Sequence, residues 1–188
     1  MGYLKERIKH AVRFRHKRGF GVHSPFMFNL ILNVIRDRDR TFDYPLEWEK
    51  GNLLSRRERK IFRLLSRLIR HLEVRRMVCT GENAALLMEY LETACPQVLL
   101  TSCLEEVGEA DFIYVGRRMP GEKTALDWGA FLRNEPKYVV ISDIYKDKQH
   151  ARLWRLLRER ATVSVDMMWY GILFFNDKIQ RGKYNLMI

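Results

Sequence analysis

Four residues at the ends of strand-like runs could bind a ligand. Gly81 and Glu82 follow the apolar run 77–80 and directly precede a helix-forming segment. A strand, a glycine turn and a helix together allow the backbone to approach a nucleotide closely and offer it N–H groups. Ser102 and Asp143 end two later strand-like runs, and ligands of open α/β sheets bind at such carboxyl ends. We therefore take Gly81, Glu82 and Ser102 as candidate cofactor-binding residues and Asp143 as the candidate catalytic residue.

Each candidate also has a structural interpretation. Glu82 would stabilise the N-terminus of the following helix through the helix dipole. Asp143 would cap a helix or pair with Arg117. A nucleotide site would need an acidic residue at the end of the second strand to bind the ribose hydroxyls, and no such residue is present there. Glu105 and Glu106 lie slightly beyond and would serve only if the loop folds back.

The carboxylates do not predict a metal site. The strand-like run 111–115 ends in Gly116 and Arg117, which leaves Asp143 as one carboxylate where a hard cation needs several oxygen ligands. His150 lies at helical spacing from Leu153, which favours a packed or surface histidine over a catalytic base. We expect no metal.

The elements that must position these residues alternate along the second half of the chain. Strands are predicted over residues 77–80, 97–101, 111–115 and 137–142. Helices are predicted over residues 84–94, 123–132 and 147–159. Three more extended runs, without a helix between them, cover residues 162–167, 171–175 and 183–188. This pattern predicts an α/β fold with a mostly parallel, Rossmann-like sheet and an antiparallel C-terminal edge.

The connection between the second and third strands is short. Residues 103–109 are seven residues, fewer than the roughly dozen that a helical crossover needs. We expect that a helix, a strand and a helix are absent here. An extended return, which reaches about 23 Å at full stretch, would join the two strands.

Residues 1–73 are predicted to form a basic helical extension that packs with the domain at residues 74–188 as one globular unit. Residues 4–17 have the pattern of an amphipathic basic helix, and residues 25–36 are apolar nearly all round, which predicts a buried helix. Residues 37–50 are polar and are expected to form a loop.

The clearest helix of the extension begins after Ser55. Ser55 and Glu58 form a capping box, and apolar residues follow at helical spacing from Ile61 to Leu72. The opposite face carries Arg56, Arg59, Arg63, Arg67 and Arg70. This basic surface would bind nucleic acid or another polyanion, or it is a solvated face of an ordinary amphipathic helix, since no aromatic residues are interleaved with the arginines.

The excess of positive over negative charge lies within residues 1–76. The protein has 188 residues and a net charge of +11. Residues 1–76 hold 20 of the 34 Lys and Arg residues and 8 of the 23 Asp and Glu residues, so they carry +12 and the remainder carries −1. Such asymmetry indicates a polyanion, a membrane surface or an acidic partner.

Cysteine usage and hydropathy indicate the compartment. Cys79, Cys95 and Cys103 form no CxxC pair, which favours a reducing cytoplasm, and we interpret all three as small buried apolar residues. The longest apolar run, near residues 167–175, is too short to span a membrane. We expect a soluble cytoplasmic protein without a transmembrane segment.

Residues 18–26 read RGFGVHSPF, in which Gly19 and Gly21 free the backbone and Ser24 with Pro25 begins a helix. This run resembles the N-terminal extension of a group of bacterial class I S-adenosylmethionine-dependent methyltransferase-like proteins. The closing WYGILFF of residues 169–175 resembles the ending of the same family. In this run His23 would pin a turn.

The resemblance implies a class I methyltransferase sheet and S-adenosylmethionine as the cofactor, held by Gly81, Glu82 and Ser102. The run at residues 142–145 resembles a family Asp-Asp-Ile-His run in which Asp143 matches the second aspartate. Compared with the family pattern, the turn at Gly81 has fewer glycines. The acidic residues that the family carries on the first strand and at the end of the second have no counterpart here. We therefore expect a shortened member with a degenerate cofactor site and weak or no activity. The alternatives are a non-catalytic module that binds nucleic acid or another polyanion, and self-association through the N-terminal helices.

Overall fold

The computed structural model describes residue 8 and residues 24–37, 42–117 and 136–186. Three expectations lie outside these residues. They are the basic helix over residues 4–17 apart from residue 8, the helix over residues 123–132, and the part of RGFGVHSPF before Ser24, which includes His23.

The described helices cover one face of a sheet and part of the other. The α-helices are α1 (Pro25–Asn29), α2 (Leu46–Gly51), α3 (Arg56–His71), α4 (Ala84–Ala94) and α5 (Lys148–Arg160). A π-helix over Leu30–Ile35 continues α1, and a 3₁₀ helix covers Leu104–Glu109.

Two of the predicted helix starts are confirmed. Ser24 caps α1, where its hydroxyl accepts a hydrogen bond from the Met27 N–H at 3.4 Å and Pro25 occupies the first helical position. At α3, the Glu58 N–H donates to the Ser55 hydroxyl at 3.2 Å, and the Ser55 N–H donates to the Glu58 carboxylate at 2.9 Å. Both signals are local, so the sequence alone is sufficient to place them.

The predicted loop over residues 37–50 is wrong in its last part, which forms α2. Trp48 of α2 packs edge-to-face on Tyr90 of α4, with ring centroids 5.4 Å apart. Glu49 is 3% exposed and pairs with Arg63 of α3. These contacts stabilise a helix of only six residues that local propensity does not predict.

In the described ranges, seven strands form one sheet. They are β1 (Arg76–Thr80), β2 (Leu99–Thr101), β3 (Phe112–Val115), β4 (Tyr138–Ser142), β5 (Val163–Asp166), β6 (Tyr170–Phe174) and β7 (Gly182–Asn185). Their order is β2-β1-β3-β4-β6-β5-β7. The strand β6 runs antiparallel to β4 and β5, and the other neighbouring pairs are parallel. The prediction of an α/β fold with a mostly parallel sheet is confirmed, and this sheet is consistent with a Rossmann-like fold.

The predicted antiparallel C-terminal edge is correct for β6 but wrong for β7. Gly171 of β6 pairs with Ile141 of β4 on one side and with Asp166 of β5 on the other. Both edges of β6 are therefore occupied, so β7 cannot form a hairpin with it. The chain returns to the start of β5 instead, where the Gly182 N–H donates to the Thr162 carbonyl at 3.0 Å, and β7 runs parallel to β5.

The predicted extended return between β2 and β3 is also wrong, because it contains the 3₁₀ helix Leu104–Glu109. The connection passes β1, since β2 and β3 pair with its two edges. Two strand spacings are only about 10 Å, which is much less than residues 102–111 would span when extended. The 3₁₀ helix shortens the connection to the distance between the two strands.

The sheet divides the core into two layers. Met77 and Cys79 face α1, the π-helix, α3 and α4, whereas Val78 faces α5. The alternation follows from the two-residue period of a strand, and both faces are apolar because both are covered. The described part of the helical extension therefore shares one core with the sheet.

The cysteines occupy different environments. Cys79 and Cys95 are buried and Cys103 is half-buried, so the expectation of three buried cysteines is wrong for Cys103, which follows the edge strand β2. Burial raises the pKa of the Cys79 thiol to about 12. No helix in the described ranges is long and apolar enough to cross a membrane.

Gly171 provides a test of the packing between β6 and α5. A Cβ at Gly171 would lie 2.3 Å from the ring of Trp154, which is 1% exposed. Gly171→Ala should lower the free energy of unfolding by roughly 1–3 kcal/mol, because the buried ring has no room to move. Urea denaturation measures this change.

Gly51→Ala is the matched control. A Cβ at Gly51 meets nothing within 4 Å, so the free energy of unfolding should stay unchanged or rise by up to about 1 kcal/mol. Equal effects of the two substitutions would contradict the packing described for Gly171.

Candidate functional site

Gly81 and Glu82 form the turn between β1 and α4. Gly81 has a φ of 88°, and Asn83, which caps α4, has a φ of 66°. Glu82 is exposed and precedes the N-cap, and the first turn of α4 contains no acidic residue. Glu82 therefore lies outside the helix whose dipole it was expected to complement.

This turn lies against the loop that follows β3. A Cβ on Gly116 would lie 2.4 Å from the Glu82 carbonyl oxygen and 3.0 Å from that of Thr80. In open α/β sheets a nucleotide binds in the crevice where the strand order reverses, which here is between β1 and β3. The two loops are too close at this point to admit even a methyl group.

Ser102 is not brought together with Asp143. Ser102 follows β2, which pairs with β1, and its side chain is exposed. The strands β1 and β3 separate β2 from β4, so the two residues are roughly 14 Å apart in strand spacing alone. Ser102 therefore lies apart from Asp143, and Gly81 and Glu82 lie between them in the strand order, at the end of β1.

Asp143 is an ion-pair anchor directly after β4. It is 1% exposed, and its φ is 54°. Its carboxylate accepts a hydrogen bond from the Arg57 guanidinium and pairs with Arg117 Nε at 2.9 Å. The predicted pairing with Arg117 is confirmed, whereas Asp147 caps α5. A catalytic role for Asp143 stays a prediction.

Arg57 connects this anchor to two aromatic rings. Its guanidinium carbon lies 4.4 Å from the ring centroid of Trp169 and 5.8 Å from that of Tyr170. The Tyr170 hydroxyl donates to the Arg57 carbonyl at 3.1 Å. Burial opposes the charge on Arg57, but its hydrogen bond and ion pair with Asp143 raise its pKa. Arg57 therefore stays charged while it orders the loop between β5 and β6.

A cavity of about 340 Å³ opens between α3 and the loop at residues 167–169. We name it the cationic pocket. Its apolar lining comes from the π-helix, α3 and the region around the β5–β6 loop, and consists of Ile35, Leu64, Met167, Trp169 and Tyr170. Its cationic lining comes from α3 alone, and consists of Arg56, Arg57, Lys60, Arg63 and Arg67.

The predicted basic surface is not an open face. The Arg63 guanidinium donates twice to the buried carboxylate of Glu49, at 2.7 and 2.5 Å, and Arg59 approaches the same carboxylate at 3.4 Å. Arg70 donates to the Ala94 carbonyl. These arginines attach α3 to α2 and α4, so their first role is structural.

Arg67 is buried, with 8% of its surface exposed. It donates to the carbonyl groups of Val34 at 2.5 Å and Ile35 at 3.2 Å, and to the Tyr44 hydroxyl at 2.7 Å. It thereby satisfies carbonyl groups at the end of the π-helix. The prediction of a solvent-facing Arg67 is wrong, because these partners come from distant segments that fold over α3.

Arg56 and Lys60 are the cations of the pocket that remain available. Both are exposed, and within the described ranges neither forms a hydrogen bond or an ion pair. They are four residues apart on α3 and therefore lie on one face. Among the described residues, Arg56 is thus the arginine of the predicted basic surface that is left without a partner, and its binding role stays a prediction. Lys60 was not predicted.

The aromatic part of the pocket was not predicted from the sequence either. Trp169 and Tyr170 belong to the WYGILFF run, and the Tyr170–Arg57 bond joins positions 113 residues apart. In the sequence these two residues stand out only as aromatic residues that precede the extended run 171–175. Nothing local to α3 indicates that this ring packs on Arg57.

The site has neither a metal-binding cluster among the described residues nor a match among known proteins. Among the described residues, no group of three or more His, Cys, Asp or Glu side chains could hold a metal ion. Comparisons with protein-family models, curated proteins and solved structures found no match to this chain.

The role of Asp143 as an anchor can be measured. Asp143→Asn keeps the shape of the side chain and tolerates a positive φ, but it removes the charge that pairs with Arg57 and Arg117. Because both arginines are partly exposed, with side-chain exposures of 35% and 48%, the free energy of unfolding should fall by only about 1–3 kcal/mol. Urea denaturation measures the loss.

The matched control is Asp177→Asn, at an exposed position in the segment between β6 and β7. It should change the free energy of unfolding by less than about 0.5 kcal/mol. If Asp143→Asn also left the free energy of unfolding nearly unchanged, Asp143 would not anchor the loop.

Proposed function

We propose that this protein is a non-catalytic module that binds nucleic acid or another polyanion in the cationic pocket. The observation that carries the proposal is the pair of exposed cations, Arg56 and Lys60, at the edge of a cavity that also contains Trp169. An anion bound there would meet two charges that have no described partner. It would also meet an apolar surface that excludes water from the contact.

Electrostatics supports this proposal. Residues 1–76, which carry α3, hold 20 Lys and Arg residues against 8 Asp and Glu residues. A segment with this excess of positive charge attracts polyanions over several ångströms and accelerates their association. The arginines that are paired with Glu49 and with backbone carbonyl groups hold the walls of the pocket in place. Arg56 and Lys60 are left to meet a ligand.

The first test is salt-dependent binding of a fluorescein-labelled 12-nucleotide oligothymidylate, measured by anisotropy. The logarithm of the association constant should fall linearly with the logarithm of the salt concentration. Arg56→Ala and Lys60→Ala should each weaken binding and reduce the salt slope by about 1.

Arg152→Ala is the control, because Arg152 is an exposed cation on α5, on the opposite face of the sheet. It should leave affinity nearly unchanged. Equal losses from Arg152→Ala and Lys60→Ala would mean that binding follows net charge, and the pocket would have no special role.

A second candidate is a shortened S-adenosylmethionine-dependent methyltransferase of class I. The observation that favours it is β6, which is inserted antiparallel between β4 and β5 in an otherwise parallel sheet, together with the resemblance at residues 18–26 and 169–175. The contact between Glu82 and Gly116 counts against it, because it narrows the crevice in which a cofactor would lie. In this proposal Gly81, Glu82 and Ser102 would face the cofactor and Asp143 the methyl acceptor.

Calorimetric titration separates the two candidates. S-adenosylmethionine at millimolar concentration should give no binding heat with the full chain, because the close approach of Glu82 and Gly116 narrows the crevice. A saturable heat that Gly81→Val abolishes would support the enzyme and count against the binding module as the main function. Gly51→Val is the control substitution, since Gly51 lies in open space.

A further inference from the structure

We infer that the polyanion bound at the cationic pocket is the surface of an anionic lipid bilayer, with lipid phosphates at Arg56 and Lys60 and the side chain of Leu53 in the hydrocarbon. This inference rests on the proposed function and names the partner of the same site. It is carried by an exposed leucine in a strained backbone conformation, which lies directly before the two available cations.

Leu53 is the most exposed large apolar side chain among the described residues, at 89%. A single exposed leucine is common on protein surfaces. Its backbone is unusual, because its φ of 46° lies in the left-handed region that a bulky side chain rarely adopts. The fold gains almost no burial from this side chain and bears the strain of its conformation. Such strain is typical of positions that present a residue to a ligand.

The backbone on both sides of Leu53 is fixed. Before it, the N–H and the side-chain amide of Asn52 both donate to the Trp48 carbonyl, at 3.1 and 3.0 Å. After it, Leu54 is buried and Ser55 begins α3 with its capping box. The end of α2 and the start of α3 therefore set the position of Leu53, while its side chain extends into solvent.

The available cations follow Leu53 immediately. Arg56 is three residues further along the chain, so the two Cα atoms are at most about 11 Å apart. Lys60 lies about one helical turn beyond Arg56, and both cations are exposed and line the pocket. Binding to an anionic membrane combines buried apolar area with electrostatic attraction to the lipids. These three residues supply both contributions.

The nearby carboxylates have other partners. The Glu58 carboxylate accepts a hydrogen bond from the Asn83 side chain at 2.8 Å, at the start of α4. Glu47 pairs with Lys50 at 2.8 Å. Residues 1–76 hold 20 Lys and Arg residues against 8 Asp and Glu residues. This excess complements the many negative charges of an anionic bilayer.

The apolar lining of the pocket favours a lipid over a nucleic acid. Ile35, Leu64 and Met167 line the cavity beside the two cations. In a phospholipid the phosphate adjoins an apolar body, whereas the phosphates of a nucleic acid are joined to polar sugars. Leu53 adds to this preference, because hydrocarbon would remove its side chain from water.

The experiment measures binding of the full chain to sucrose-loaded vesicles by sedimentation at fixed salt. One set of vesicles contains about 30% phosphatidylserine in phosphatidylcholine, and the other contains phosphatidylcholine alone. The full chain should bind the anionic vesicles about 25-fold more tightly, since each of the two available cations contributes about 5-fold.

The variants separate the apolar contact from the electrostatic one. Leu53→Ala should weaken binding to the anionic vesicles roughly 10- to 50-fold, the loss expected when two or three methylene-sized groups no longer reach hydrocarbon. Arg56→Ala and Lys60→Ala should each weaken it about 5-fold. Leu53→Ala should leave binding of the labelled oligothymidylate unchanged, because a nucleic acid has no hydrocarbon phase.

Leu156→Ala is the matched control, since Leu156 is a leucine with 42% exposure on α5, on the opposite face of the sheet. It should leave vesicle binding unchanged. Leu53→Gly is a second variant, because glycine adopts a positive φ without strain. It should melt at or above the temperature of the unsubstituted chain and still bind the vesicles weakly, which a merely structural role of Leu53 would not produce.

Different results would overturn different statements. If Arg56→Ala and Lys60→Ala weaken vesicle binding but Leu53→Ala and Leu53→Gly do not, the proposed function stands and the bilayer inference fails. The inference also fails if the chain binds oligothymidylate but not the anionic vesicles, or if Leu53→Ala weakens both equally, since the polyanion would then be a nucleic acid. If the chain binds neither probe, or if Arg56→Ala and Lys60→Ala change neither affinity, the proposed function itself fails.

Discussion

The carboxylate of Asp143 lies in the protein interior, where an unpaired charge would cost several kcal/mol. It is compensated by Arg57, which belongs to α3, and by Arg117, which follows β3. The same residue holds the Trp169 carbonyl through its N–H group. One buried charge therefore requires a helix, two strand ends and the β5–β6 loop to meet at a single point. The cationic pocket exists because these segments are held together there.

A second buried carboxylate organises the helical layer. Glu49 of α2 accepts hydrogen bonds from Arg63 and lies close to Arg59, so a large share of the basic stripe on α3 is turned toward the protein. Arg67 is turned inward in the same way by backbone carbonyl groups. As a result, the high positive charge of residues 1–76 does not mean that α3 has an open basic face. It leaves a small number of available cations beside an aromatic ring, which is a more selective arrangement.

The sheet has the architecture in which ligands bind at the reversal of strand order, yet the contact between Glu82 and Gly116 narrows that location. The cationic pocket lies elsewhere, between α3 and the β5–β6 loop. The proposed resemblance to methyltransferases rests on residues 18–26 and 169–175, which include the start of α1, the strand β6 and the pocket residues Trp169 and Tyr170. A scaffold and a site are separate properties, and only the site carries chemistry. The proposed binding function follows from the cavity that this chain has.

The sequence by itself determined the local features of this protein. The capping box at Ser55, the helix start at Ser24 and the apolar runs of the strands depend on residues a few positions apart, so their interactions are available before the chain folds. The tertiary structure decided the rest. The parallel course of β7, the helix α2, the inward turn of Arg67 and the packing of Arg57 on Trp169 each depend on partners that are distant along the chain. The physical reason is that buried charges, strand edges and aromatic faces are satisfied by whatever lies next to them in space, and spacing along the sequence does not specify that neighbour.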